Sequence, residues 1–105
     1  MATPIFGMPL ELMGWAQVAD VARMPDPLAR RIASFLASAR DFDPLRRGYL
    51  AQQLAHEASR YVSPLPAVEP ELFLAGVTVA RRDREARALQ LEAERLGRLA
   101  PVLRG

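Results

Sequence analysis

Residues 71–99 read ELFLAGVTVARRDREARALQLEAERLGRL, and the reading of this stretch decides the fold. It opens on an apolar block from Leu72 to Val79 and passes without a breaker into Arg81, Arg82, Asp83, Arg84, Glu85 and Arg87. It then continues as Leu89, Leu91, Ala93, Leu96 and Leu99 with Glu and Arg between them. No proline falls between Pro70 and Pro101, and Gly76 and Gly97 are the only glycines in that interval. This pattern predicts one long helix, buried along its first half and half-solvated along its second. At 1.5 Å per residue it would span roughly 43 Å, against helices of about 10–18 residues elsewhere in the chain. Its C-terminal half is therefore expected to outrun its neighbours.

Prolines cut the remainder into shorter pieces. Residues 1–8 read as an irregular leader broken by Pro4 and Gly7. Pro9 can open a short helix to about Ala19, weakened by Gly14. Asp26-Pro27 and Asp43-Pro44 each offer an N-capping acid followed by proline at the first helical position. Leu28, Ile32, Phe35, Leu36 and Ala39 then form the inner face of a helix ending near Arg40. Leu45, Tyr49, Leu50, Leu54, Ala55, Ala58 and Tyr61 or Val62 give the stripe of the next. The connector Ser63–Val68 contains Pro64 and Pro66 and cannot be helical throughout, and Glu69-Pro70 launches the last helix. The expected fold is all-α: a compact bundle of about four helices with a long C-terminal one. One domain covers residues 9–100, residues 101–105 form a tail, and the third and fourth helices are antiparallel neighbours. Trp15, Phe35, Tyr49 and Phe73 are expected in the core.

Composition narrows the chemistry. A chain of 105 residues, half of them hydrophobic, can bury a core without metals or disulfides. With no cysteine, disulfides, thiol catalysis and thiolate metal sites are excluded. Net charge is only +2, and every basic residue is arginine. No apolar run approaches the roughly 20 residues of a membrane span. The segment Ile5–Leu12 lacks the basic leader of a signal peptide.

Catalytic constellations are not found. His56 is the single histidine and has no second ligand at metal-binding spacing. Ser34, Ser38, Ser59 and Ser63 lie in ordinary helix or connector contexts, and the isolated glycines make no phosphate-cradling loop. Asp41 and Asp43 read as turn and cap. No catalytic, metal or cofactor-binding residue and no small-molecule substrate is identified, and the chain is expected not to be an enzyme.

Two features of the long helix point to partners. Arg81, Arg82, Arg84 and Arg87 make an electrostatic patch for anionic lipid, an acidic protein or nucleic-acid phosphate. The alternative is a solvated face, with Arg81–Glu85 and Asp83–Arg87 as i,i+4 pairs of about 0.2–0.5 kcal/mol each. The second feature is a heptad seam: Leu72, Val79, Ala86, Ala93 and Ala100 recur every seven residues, alternating with Leu89, Leu96 and Leu103, with Arg82 interrupting. Ala86, Leu89, Ala93, Leu96 and Leu99 are the expected interface for a homodimer or a partner helix. A different class of reading takes residues 27–62 as a helix–turn–helix DNA-binding regulator, with Arg46 and Arg47 entering a groove. Nucleic acid is the less favoured partner, because neither interleaved aromatics nor a recognised reading element is present.

The order of these segments is also familiar. A PLELxGWA opening, MPDPLA, IASFLASA, LRRGYLAQQLA, VSPLP and FLAGVTVARRDRE follow one another between Met8 and Ala88. Together they resemble the cytosolic C-terminal region that follows the membrane spans in actinobacterial RDD-family proteins. The resemblance implies a helical, cytoplasmic domain at the inner face of the plasma membrane, as part of a larger membrane protein. The arginine and paired aspartates that name that family belong to its membrane-spanning part and have no counterpart here. Its transport role therefore transfers to no residue of this chain.

Overall fold

Asp43 and Pro44 show how local chemistry sets the elements. Pro44 is the first helical residue, and the Asp43 carboxylate accepts a hydrogen bond from the Arg46 backbone N–H at 3.0 Å. One of the helix's orphan donors is thereby satisfied. In the computed structural model, which describes residues 7–104 with side chains through Ala100, the chain is all-helical apart from one short two-stranded pairing. A turn at Leu10–Leu12 leads into α1 (Met13–Val18), followed by β1 (Asp20–Val21) and α2 (Asp26–Ser38). After a turn at Ala39–Asp41 come α3 (Pro44–Ala58), a turn at Ser59–Tyr61, β2 (Val62–Ser63) and α4 (Pro70–Arg104). Most of the expected leader, residues 1–6, lies outside the described residues.

The core is one cluster. From α2 it takes Leu28, Ile32 and Phe35; from α3, Ala51, Leu54 and Ala58; from α4, Phe73, Leu74 and Val77. Phe42, just before α3, stacks on Phe35 with ring centroids 6.1 Å apart and closes one end. The strand pair fastens the other, with Val21 opposite Val62 and Asp20 opposite Ser63. Gly76 explains the close approach of the N-terminal segment: a Cβ there would sit 2.4 Å from Leu12 Cδ1. Leu12 is itself almost fully buried, so any side chain at position 76 must displace it.

Several expectations are corrected. Helix α2 begins at Asp26 itself, with Pro25 at the cap position and no side-chain capping bond, so only the second Asp-Pro pair works as expected. In α3, Leu45 and Tyr49 are exposed, and Ala51 takes the inward position. Trp15 packs against the core as expected but stays half-buried, donating its indole N–H to the Pro64 carbonyl at 2.7 Å. The residues assigned to a C-terminal tail continue the helix through Pro101 to Arg104.

Helices α3 and α4 run in the same sense. Arg47, in the first turn of α3, binds Glu71 at the start of α4 through two hydrogen bonds of 2.8 and 3.0 Å. Further along, Arg84 donates to the Val21 carbonyl, whose strand partner Val62 follows α3. The proline-containing connector makes this possible by carrying the chain back along α3 before α4 begins. Helix α2 runs opposite to both: Asp26 at its start lies 3.9 Å from Arg81, and Arg31 binds Glu57 near the end of α3.

That last pair gives a pH dependence. Arg31 donates two 2.9 Å hydrogen bonds to Glu57, and these hold the Glu57 carboxyl below its ordinary pKa. The unfolded chain then binds more protons than the native one in acid. The contribution is present above the ordinary carboxylate pKa and is lost as pH falls through the lowered native value. Both side chains are about half exposed, so the pair is worth below ~1 kcal/mol. Urea unfolding of Glu57→Gln should show that small loss at pH 7, with the gap to wild type closing below about pH 4.

Candidate functional site

Helix α4 changes character where the other elements end. Phe73, Leu74, Gly76 and Val77 are buried, whereas every residue from Arg84 to Leu99 is exposed. The second half is thus an arm fully in solvent rather than half-solvated. It stretches the molecule to 63 × 32 × 23 Å, with a radius of gyration of 16.9 Å. A compact chain of this length would have about 13 Å. The arm exposes Leu89 by 73%, Leu91 by 65%, Leu96 by 55% and Leu99 by 43%.

The faces of the arm follow from helical geometry at about 100° per residue. The inward stripe of buried Phe73, Leu74 and Val77 and half-buried Ala80 continues outward as Arg84, Ala88, Leu91 and Arg95. The seam of Ala86, Leu89, Ala93, Leu96 and Ala100 lies about 140° around the axis from it. Among the described residues, Ala86, Leu89, Ala93 and Leu96 are all exposed on that side of the arm. The upstream heptad members Leu72 and Val79 are half-buried, because that part of α4 lies within the bundle, with Gly7 close to Val79. Leu99 flanks the seam, and the side chain of Leu103 lies outside the described residues.

The four arginines picked from the sequence do not form one patch. Arg81 is 3.2 Å from Glu85 and 3.9 Å from Asp26, straddling α4 and the start of α2. Arg84 lies 3.8 Å from Asp20 and donates to the Val21 carbonyl, strapping α4 to β1. Arg87 pairs with Asp83 at 3.0 Å. Arg82 projects along the seam and has no ion-pair partner among the described residues. The i,i+4 pairs expected of a solvated face are therefore present.

Sequence reasoning missed three residues here. Arg95 and Arg98 share the direction of Arg84 and Arg87, so a basic face runs down the arm roughly opposite the seam. Leu91 projects on that same side. A wheel projection of residues 84–100 carries this signal, which the heptad pattern alone hides. A second overlooked feature is a groove of ≈ 710 Å³ where α3 and α4 begin, lined by Phe42, Leu45, Tyr49, Glu69 and Pro70.

For the DNA-binding alternative, Arg46 caps the Phe42 ring with its guanidinium 5.9 Å from the centroid, and Arg47 is bound to Glu71. Presenting Arg47 to a groove would break that pair. His56 is exposed beside Tyr49, Gln52, Gln53 and Glu57. Among the described residues no group of three or more His, Asp or Glu could hold a metal ion, and no helix is long and apolar enough to cross a membrane. No protein-family model, curated protein or solved structure matches the chain.

Proposed function

We propose that the chain is a non-enzymatic helical interaction domain that self-associates, or docks a partner helix, through the arm of α4. One observation carries this reading: the alanine–leucine seam from Ala86 to Leu96 is exposed, on the side of the helix turned away from the described bundle. The resemblance to the soluble region of RDD-family proteins supports a cytoplasmic setting beside a membrane. The basic face of Arg84, Arg87, Arg95 and Arg98 would then turn toward acidic groups of lipid or protein.

Energetics favour a reversible contact. Fully burying a leucine is worth about 1.5–3 kcal/mol. Scaled by their present exposure, Leu89, Leu96 and Leu99 of two copies would contribute roughly 5–10 kcal/mol. Association costs are of the same order, about 4–15 kcal/mol. A concentration-dependent dimer is expected rather than an obligate one. Sedimentation equilibrium should show the mass climbing from 11.6 kDa toward twice that value as concentration rises. A constant 11.6 kDa up to millimolar chain would contradict self-association.

A further inference from the structure

Resting on the self-association reading above, we propose that two arms pair antiparallel, each leucine of one copy packing on an alanine of the second. Along the seam, Ala86, Ala93 and Ala100 hold one heptad position, and Leu89 and Leu96 hold the other. Parallel pairing would stack like on like, with thin Ala–Ala layers beside thick Leu–Leu layers. No single helix separation fills both at interior density. Reversing the second copy removes the mismatch: Leu89 meets Ala100 of the second copy, and Ala93 meets Leu96. The two reciprocal layers follow from a two-fold axis passing between Glu94 and Arg95. Every layer then holds one large and one small side chain, the alternation that lets facing helices interdigitate at constant spacing.

Charge supports the same orientation independently. Arg82 lies on the seam, exposed and without an ion-pair partner among the described residues. In a parallel pair it would face Arg82 of the second copy across the axis. In the antiparallel pair the two guanidinium groups stand about 25 residues apart along the axis, roughly 37 Å at 1.5 Å per residue. That is several times the screening length of about 10 Å at 0.1 M salt. The flanking positions bring Glu92 beside Leu99 of the second copy and Gln90 beside Gly97, so no like charges oppose each other. The described part of each bundle sits about 140° around the arm from its seam.

Because the chain contains no cysteine, single cysteines report the geometry directly. A disulfide needs Cα atoms about 4.4–6.8 Å apart. An equimolar mixture of Leu89→Cys and Ala100→Cys chains should cross-link in a glutathione redox buffer. Ala100→Cys alone should give at least tenfold less dimer under the same conditions. Efficient self-linking of Ala100→Cys would overturn the antiparallel arrangement while leaving association standing. So would a dimer by light scattering that forms neither cross-link. If the cysteine-free chain scatters as a monomer throughout, the association reading itself falls.

Discussion

Leu74→Ala should lower the unfolding free energy by about 2–5 kcal/mol, whereas Leu89→Ala in dilute protein should change it by less than ~0.5 kcal/mol. Leu74 and Leu89 sit on one continuous helix, yet the first is fully enclosed and the second is 73% exposed. Truncation at position 74 removes three side-chain carbons from the middle of the buried cluster and leaves a cavity that its neighbours close only in part. For a domain of this size each kcal/mol moves the melting temperature by about 4–8 °C. The expected drop for Leu74→Ala is therefore at least 8 °C, readable by circular dichroism at micromolar protein. Equal losses at both positions would mean that the arm packs on the bundle in solution.

The second large effect concerns association. The Leu89→Glu/Leu96→Glu double variant should weaken the dimer by at least a hundredfold while leaving the dilute-protein melting temperature unchanged. Two carboxylates per chain would have to enter apolar layers with no cation positioned to pair them, and each uncompensated charge costs several kcal/mol. On the isolated arm the same glutamates are harmless, since both positions face water and glutamate is a good helix former. Leu91→Glu is the matched control. Leu91 is as exposed as the seam leucines but projects to the basic side, so its replacement should leave the mass unchanged.

Much of the helical order could be read from the residues, and the failures have physical causes. Asp43-Pro44 identified the start of α3, where the Asp43 carboxylate caps the Arg46 N–H, whereas the same pair at Asp26-Pro27 falls inside the first turn of α2 and caps nothing. The long C-terminal helix was legible because nothing between Pro70 and Pro101 breaks it. Pro101 itself lies within α4, where its missing N–H removes the bond to Gly97. The burial of α3 was misread at Leu45 and Tyr49. Residue type suggested an inward face there, but the bundle turns α3 to bury Ala51, Leu54 and Ala58. The shared direction of α3 and α4 was not legible either. It depends on the connector returning along α3, and no pattern within either helix encodes that path. On the arm, heptad spacing located the seam, while the four-arginine cluster dissolved because the residues project around most of the helix and three of them engage their own chain.

Amide hydrogen exchange along α4, measured at dilute and at concentrated protein, reports on the seam itself. Amides from Phe73 to Ala80 lie within the bundle and should be protected equally at both concentrations. Those from Ala86 to Ala100 should exchange fast in dilute protein and slow by at least tenfold on concentrating, with the change abolished in Leu89→Glu/Leu96→Glu. Exchange from Ala86 to Ala100 that stays fast and independent of concentration while the mass doubles would contradict the seam as the contact surface.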